Sequence, residues 1–427
     1  MRLALSLARR AYGATSPNPM VGAVLLKNGR IIGRGWHHRA GLPHAEIEAL
    51  NDARERGANP KGATLYVTLE PCSTQGRTPP CTDAILSAGI RRVVAGATDP
   101  NPRHSGRAFH ILRHAGLAVT PGVLAADCER LNEAFNHWIV HRTPFVTVKA
   151  AMTLDGKIAT ARGESKWITG PEARDFGMKL RAGSDAILVG INTVLADDPS
   201  LTVRPAGNHR LRRLILDSMA RTTLSAKVVS APQAELTTIV VSELAPKKRV
   251  AALARHVHVL VAPFAGAEPG MQGSRLRSSH SSLSGLFHKY ADVGGEEFFV
   301  QARREHRAYP RRSVRCEQRC LREKEPPNTL PDLGNRPLSL PWLLKQLGAE
   351  AVTSLLVEGG GEVNASFLMQ GLAHRIAFFY APKILGGRDA RRAVAGEGAN
   401  TLREALNLTA LEWRWFGPDL FLTARVL

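Results

Sequence analysis

No stretch of this chain approaches the ~18 consecutive apolar residues of a membrane-spanning helix, so the sequence excludes an integral helical membrane protein. The start, Met1-Arg2-Leu3-Ala4-Leu5, lacks the long apolar core and small-residue cleavage site of a secretory signal, and predicts the first turn of a folded helix in a cytoplasmic protein. Cysteine is scarce, five in 427 residues, an odd number with no framework of pairs, which excludes a disulfide-stapled secreted scaffold. Aromatic residues make up only 6%, without the interleaved platform on which single-stranded nucleic acid stacks. Acidic residues are also short, 37 against 57 Lys and Arg, for a formal charge of +20. So basic a chain admits nucleic acid as a partner. Its arginines are spread along the sequence, however, and would equally serve phosphorylated small molecules.

What is present is apolar enough to fold: 44% of residues are hydrophobic, and the length exceeds what one core supports, so two domains are expected. The most informative residues are His44-Ala45-Glu46 and, downstream, Pro71-Cys72 and Cys81. One imidazole and two thiolates leave the fourth tetrahedral position of Zn²⁺ open for water, whose pKa then falls towards ~7. A carboxylate two residues past the histidine, Glu46, fits the general acid/base that shuttles a proton to a departing amine. Pro43 followed by Ala45, Ile47, Ala49 and Leu50 predicts a helix that opens at this histidine. Taken singly, a His near a Glu reads as a surface pair and two cysteines as small buried hydrophobes. Their conjunction reverses that, because Pro71-Cys72 follows the strand-like run from Ala63 to Leu69, where the second half of such a site would arise.

Zinc deaminases usually place two residues between the cysteines; here eight intervene, Ser73 to Pro80, so a loop bridges the metal. The stretch Thr68-Leu69-Glu70-Pro71-Cys72-Ser73 through Gly76-Arg77-Thr78-Pro79-Pro80-Cys81 closely resembles the riboflavin-biosynthesis deaminases that act on a pyrimidinone ribosyl phosphate. Ser16-Pro17-Asn18-Pro19-Met20-Val21-Gly22 and Asp99-Pro100-Asn101-Pro102 agree, and the resemblance covers roughly the first 140 residues. Members commonly carry His two residues after the first cysteine, where this chain has Thr74, which implies a lost substrate contact and not a lost metal ligand. A tRNA or single-stranded nucleic-acid deaminase is the alternative that the basic charge raises; the tRNA-type enzymes use the short cysteine spacing.

A boundary falls near Thr143-Pro144, between a helix through Leu131 to Trp138 and a strand from Phe145 to Lys149. Beyond it, an amphipathic helix through Glu172, Ala173 and Leu180, a buried strand Asp185 to Gly190, and a strand Ser354 to Glu358 alternate as in an α/β sandwich. Gly359 to Gly361 stands between that last strand and a helix from Glu362 to Met369, where backbone amides can hold phosphate. These glycines do not form the Gly-x-Gly-x-x-Gly fingerprint, so a Rossmann domain is not supported. The segments Leu154 to Ala159, Ser165 to Thr169, Ala196 to Arg204 and Val357 to Gly361 resemble, in this order, the reductase half of the bifunctional bacterial deaminase/reductase. The resemblance implies an α/β protein with a cytidine-deaminase-like three-layer domain at 1–142 and a dihydrofolate-reductase-like, NADPH-dependent domain at 143–427.

Carried over to this chain, the resemblance implies that Ser165, Arg181, Leu201, Arg204 and Glu358 line the phosphoribosyl substrate. It places Ala151, Trp167, Thr193, Asp197 and Ser218 against NADPH, together with Gly360, Gly361, Glu362, Val363, Asn364, Ala365 and Ser366. Forked guanidiniums such as Arg181 and Arg204 suit a phosphate on physical grounds alone. Asp155 and Glu358 are the candidate proton donors of the reductive step. Family resemblance also implies a homo-oligomer built through the reductase domain. One interval breaks the rhythm: from about Pro263 to Arg336 the text is rich in Gly, Ser and Arg, and a disordered insertion is expected there.

Overall fold

The computed structural model describes residues 1–75, 79–204, 210–266, 275–276 and 337–427. Most of the expected insertion at 263–336 lies outside the described residues, as do Cys316 and Cys320.

The amino-terminal half forms a five-stranded sheet. Strand β1 (Gly22–Lys27) turns into β2 (Arg30–Trp36) through Asn28-Gly29, both with positive φ (50° and 75°). This is the Asn-Gly signal of a two-residue hairpin, whose twist matches that of the strands. Strands β3 (Thr64–Leu69), β4 (Arg92–Ala97) and β5 (Ala118–Thr120) complete the order β2-β1-β3-β4-β5, with β3, β4 and β5 mutually parallel. On one face the helix Ala45–Glu55 buries Ala45, Ala49, Leu50 and Ala53 against Ala23, Leu25, Leu65 and Val67. That helix lies so close to β2 that a Cβ at Gly33 or Gly35 would stand 2.2–2.4 Å from its backbone. Alanines on the helix and glycines on the strand are therefore one packing solution. On the other face the helices Arg2–Ala8 and Ala125–Leu131 contribute Leu5 and Cys128 to a second small core with Leu69 and Ala97. Helices on both faces of one sheet make the expected three layers.

The predicted helix through Leu131 to Trp138 is two helices, Ala125–Leu131 and Glu133–His141, broken at Asn132. The buried Asn132 side chain pairs with the backbone N–H and C=O of Met20 (2.8 and 2.9 Å), which diverts it from helical use.

The second sheet has ten strands in the order β12-β11-β10-β9-β8-β13-β6-β14-β17-β16. Its centre is β6 (Phe145–Thr153) between β13 (Ser354–Val357) and β14 (Arg375–Ala381), all parallel. On the far side of β13, strands β8 (Ala186–Gly190), β9 (Arg212–Leu216), β10 (Thr237–Ser242) and β11 (His258–Ala262) continue in parallel, ending at β12 (Arg275–Leu276). The other edge is antiparallel, β17 (Asp419–Val426) on β14 and β16 (Leu408–Phe416) outermost. Strand β8 is apolar throughout because both its faces are covered: Ala186 and Leu188 enter one core, Ile187 and Val189 the other. A short pair, β7 (Lys157–Ala159) with β15 (Arg391–Arg392), stands apart from the sheet.

The two halves touch through close backbone approaches, ring contacts and ion pairs. Trp138 Nε1 donates to the Gly348 carbonyl at 2.8 Å, and a Cβ on Gly348 would meet the Arg142 carbonyl at 1.9 Å. Beside it the His137 ring lies 4.1 Å from that of His374, which stacks on Phe145 at 5.0 Å.

Candidate active sites

His44 caps the helix Ala45–Glu55, Cys72 follows β3 after two residues, and Cys81 opens the helix Cys81–Ser87. The strand, turn and two helix starts bring the three ligand atoms within 4.8 Å of one another. His44 Nδ1 lies 3.3 Å from Cys81 Sγ and 3.5 Å from Cys72 Sγ. A tetrahedral zinc with bonds of ~2.0 Å to nitrogen and ~2.3 Å to sulfur spaces such atoms by about 3.5–3.8 Å, so the donor set and its spacing fit zinc.

The electrostatics agree. A hydrogen bond from the Cys81 thiol holds Cys72 down at about 4, with His44 and the Cys81 backbone N–H (3.2 Å) adding to the effect. The same shared proton raises Cys81, and the pair is ready to lose it to a divalent cation. The hydrogen bond with Cys72 raises His44. Glu46 is 3% exposed in the first turn of the same helix; burial, reinforced by the Cys72 charge, lifts its carboxyl to about 7. A carboxyl poised near neutrality next to a metal triad can both take and give a proton.

Three further groups buttress this centre and were not visible in the motif spacing. His37 is buried, takes up Pro43 O at 3.0 Å through Nδ1 and meets Asn18 Nδ2 at 3.1 Å through Nε2. Its ring stands edge-on to that of His44. Burial lowers its pKa and keeps it neutral, as a Nδ1 donor and Nε2 acceptor must be. Glu70 is buried against the loop that follows β4. Asp99 in that loop is raised by burial and, to a smaller degree, by the charges of Glu70 and Cys72.

A second site is a cavity of about 870 Å³ at the carboxyl ends of the parallel strands β6, β8, β9 and β13, where ligands of such sheets bind. All five residues assigned to the phosphoribosyl substrate, Ser165, Arg181, Leu201, Arg204 and Glu358, line it. So do Ala151, Trp167, Thr193, Asp197, Gly360, Gly361, Glu362 and Val363 of the cofactor set. Ser218, Asn364, Ala365 and Ser366 are not among the lining residues. Asn364 is wholly buried with Nδ2 on the Ala393 carbonyl, and Ser366 Oγ turns back to the Glu362 carbonyl. Ser218 sits on a turn closed by Asp217, which accepts from the Arg221 and Thr222 backbone N–H groups.

The cleft suits an anionic dinucleotide. Gly360 caps the nine-residue helix Gly361–Met369, and a Cβ there would meet open space. A Cβ on Gly361 would strike the Arg392 carbonyl at 2.4 Å, which explains that glycine by close approach. Lys166, Arg174, Arg391 and Arg392 join Arg204 on its walls, so the donor set matches phosphate.

Arg181 is placed differently from a free phosphate fork. Its Nε and Nη2 each donate to Glu358 at 2.9 Å, and Nη1 donates to the Thr202 carbonyl. Lys149 adds a third contact to Glu358 at 3.6 Å. Burial opposes ionisation of Glu358, but Lys149 and Arg181 outweigh it and hold the carboxyl at about 2. Asp155 lies outside the cavity, bonded to Thr153 Oγ1 at 2.6 Å and to the N–H groups of Leu385 and Gly386; these bonds hold it at about 2. Both candidate proton donors are thus kept ionised. Lys149, Arg391 and Arg392 escaped sequence reasoning because they sit inside a strand and in an arginine-rich stretch with no motif of their own.

Comparison with known proteins bears on both sites. A family model described as the cytidine and deoxycytidylate deaminase zinc-binding region matches residues 1–97. One described as the RibD C-terminal domain matches residues 144–272 and 310–422. The riboflavin biosynthesis protein RibD of Aquifex aeolicus is 37% identical over 421 residues, 98% of this chain and 96% of the relative. That of Escherichia coli is 36% identical over 435 residues, covering 99% and 97%. Among solved structures, Acinetobacter baumannii RibD superposes with a TM-score of 0.73 at 30% identity, covering 100% of this chain and 97% of that one. The Thermotoga maritima diaminohydroxyphosphoribosylaminopyrimidine deaminase/5-amino-6-(5-phosphoribosylamino)uracil reductase gives 0.69 at 30% identity with the same coverage.

Proposed function

The chain belongs to the RibD family of riboflavin-biosynthesis proteins, and from that membership we propose that it catalyses two successive steps, each in its own half. Residues 1–142 deaminate the diaminopyrimidinone ribosyl phosphate at its 2-amino group, and residues 143–427 reduce the ribosyl group of the product to ribityl. The observation that carries the reading is the buried Glu46 beside the His44, Cys72 and Cys81 cluster, in one chain with a cation-lined cleft.

In the first half, His44, Cys72 and Cys81 hold zinc, which supplies the Lewis acidity that makes water a nucleophile near neutral pH. Glu46 takes a proton from that water at its carboxylate and gives it to the exocyclic nitrogen, which departs as ammonia while the ring carbon gains oxygen. In the second half NADPH supplies the hydride. Ser165, Leu201 and Arg204 hold the phosphoribosyl group, and the Glu358 carboxylate keeps Arg181 and Lys149 fixed at the cleft floor. With Asp155 and Glu358 held ionised, the Lys149 ammonium is the proton-bearing group we assign to that floor. Ala151, Trp167, Thr193, Asp197 and residues 360–363 face the cofactor.

The basic charge then serves substrates and a cofactor that all carry phosphate, and the nucleic-acid deaminase reading is not favoured. No helix of the described residues is long and apolar enough to cross a membrane; a cytoplasmic enzyme is our reading. A homo-oligomer through the second half is supported by the outermost strand β16, which exposes Leu411, Trp413 and Trp415 along one edge.

The test is a coupled assay. The diaminopyrimidinone ribosyl phosphate with NADPH should release ammonia and consume NADPH. Glu46→Gln should keep about one zinc per chain while slowing ammonia release by ~10²–10⁴. Undiminished ammonia release by that variant would refute the role of Glu46.

A further inference from the structure

Glu70 is a buried carboxylate that the chemistry above does not use. It stands directly after β3, two residues before Cys72, and is 5% exposed. Its own N–H donates to the Ala97 carbonyl at 2.9 Å, which prolongs the β3–β4 ladder by one bond. Its side chain accepts three backbone N–H groups: Oε2 from Asp99 at 3.1 Å and Gly106 at 2.9 Å, and Oε1 from Ala108 at 2.9 Å.

These donors are the two ends of one loop. Gly106 is the left-handed cap (φ 76°) of the helix Arg107–His114, and Ala108 lies in its first turn. Capping alone needs only a short polar side chain at the cap itself. A carboxylate reaching across from the neighbouring strand does something more: it fastens the start and the finish of the Asp99–Ser105 loop to the segment that carries Cys72.

Between those anchors the loop braces itself. Asp99 Oδ1 accepts from the Asn101 N–H at 2.9 Å, Asn101 Oδ1 from the Arg103 N–H at 3.1 Å, and the Asn101 carbonyl from His104 and Ser105. Pro100 and Pro102 fix two φ angles besides. A loop braced internally in this way takes its placement from its anchors. Because Glu70 stands two residues before Cys72, its bond to the Asp99 N–H sets this loop beside the segment that carries the first cysteine of the metal triad.

We propose that Glu70 is a positioning residue for the deamination: it holds the Asp99-Pro100-Asn101-Pro102 loop as a fixed wall of the pocket in which the aminated ring binds. It acts through that loop and touches neither metal nor substrate. The proposal rests on the deaminase reading, which the wild-type ammonia assay and Glu46→Gln test separately.

The experiment is Glu70→Gln in the full chain. The amide has the shape of the carboxyl but offers one acceptor oxygen and one NH₂, so at least one of the three backbone donors faces a donor. We expect full zinc, unchanged reductase kinetics on the deaminated substrate, deaminase kcat within about threefold of wild type, and deaminase KM raised about tenfold or more. An unchanged KM overturns the proposal, as does a fall in kcat alone or a loss of zinc. Should the variant fail to fold, the wild-type protein decides: exchange of the Asp99, Gly106 and Ala108 amide hydrogens should be strongly retarded, and exchange at the rate of open loops overturns it.

Discussion

The two sites solve opposite problems. The zinc triad draws three ligands and a carboxylate from 38 residues, His44 to Cys81, and packs buried Glu46 and Cys81 against half-buried His44 and Cys72 so that each group changes its neighbours' proton affinity. The reductase cleft draws its walls from Lys149 to Ala395 and stays open, with the Glu358 carboxylate shared by Lys149 and Arg181 and further cations along its walls. Chemistry that the protein itself tunes needs a small, strongly coupled site. A hydride carried in by a cofactor needs chiefly a shaped surface. Loss of one group should therefore be near-total in the first site and graded in the second.

The largest effect expected is that of Cys81→Ala. Removing one of three ligands should abolish zinc binding and deamination together, while reductase turnover on deaminated substrate stays at wild-type level. Metal analysis alongside the two separate assays checks this. Parallel loss of reductase activity would break the comparison, since it would mean the halves do not function independently.

Glu358→Gln comes next. It leaves Arg181 and Lys149 without their shared counter-charge, and hydrogen bonds to charged groups are worth about 1.5–3 kcal/mol each. Reductase kcat/KM should fall on the order of ten- to hundredfold, with deamination unaffected. The wild-type carboxyl is held at about 2 against an ordinary 4.5, so it contributes stability that is complete above 4.5 and is lost as pH falls through the folded value. That contribution is on the order of 3 kcal/mol. The loss of apparent stability between pH 4.5 and 2 should be smaller in the variant.

The sequence was most legible where chemistry and chain order coincide. His44, Glu46, Cys72 and Cys81 could be read from spacing because a helix start, a strand end and a second helix start each carry their own local signals. That residues 360–363 reach the wall of the cleft was legible for the same reason, a strand running into a capped helix. Asn364, Ala365 and Ser366 do not line the cleft, because the helix directs Asn364 to the Ala393 carbonyl and Ser366 back to the Glu362 carbonyl. Arg181 was recognised by its chemistry, yet its fork is already committed to Glu358, 177 positions away, and no local pattern encodes that pairing. Glu70 and Asp99 were quoted as parts of motifs, but the bond between them is tertiary.

A smaller effect is expected where the halves meet. Burial, with Arg425 and His141 nearby, lowers His374 to about 4, and burial with His374 and those groups lowers His137 to about 3. Glu133, bonded to Arg375 and 3.7 Å from Arg425, is the carboxylate that balances this cluster. A histidine whose folded pKa is depressed resists protonation in the native state, while the unfolded chain accepts the proton near 6.5. Stability is therefore complete above 6.5 and declines as pH falls through the folded values. The junction should weaken at a higher pH than the Glu358 site does. Thermal unfolding followed from pH 7 to 4 should show this loss, and His137→Gln should flatten it while leaving both activities at pH 7 intact.

The smallest effect concerns Thr74, half-buried in the loop between the two cysteines. The metal triad is complete without it, since His44, Cys72 and Cys81 already supply the three ligands. Restoring the histidine that members of the family commonly carry should therefore add at most one hydrogen bond to substrate, worth about 0.5–1.5 kcal/mol. For Thr74→His we expect deaminase KM to fall by roughly two- to tenfold, with zinc content, kcat and the reductase unchanged. Steady-state kinetics with the two substrates measured separately decides it. A change in kcat or in zinc content would instead place this position in the tightly coupled centre, where single substitutions are not graded, and would move the border between the two kinds of site outward by one loop.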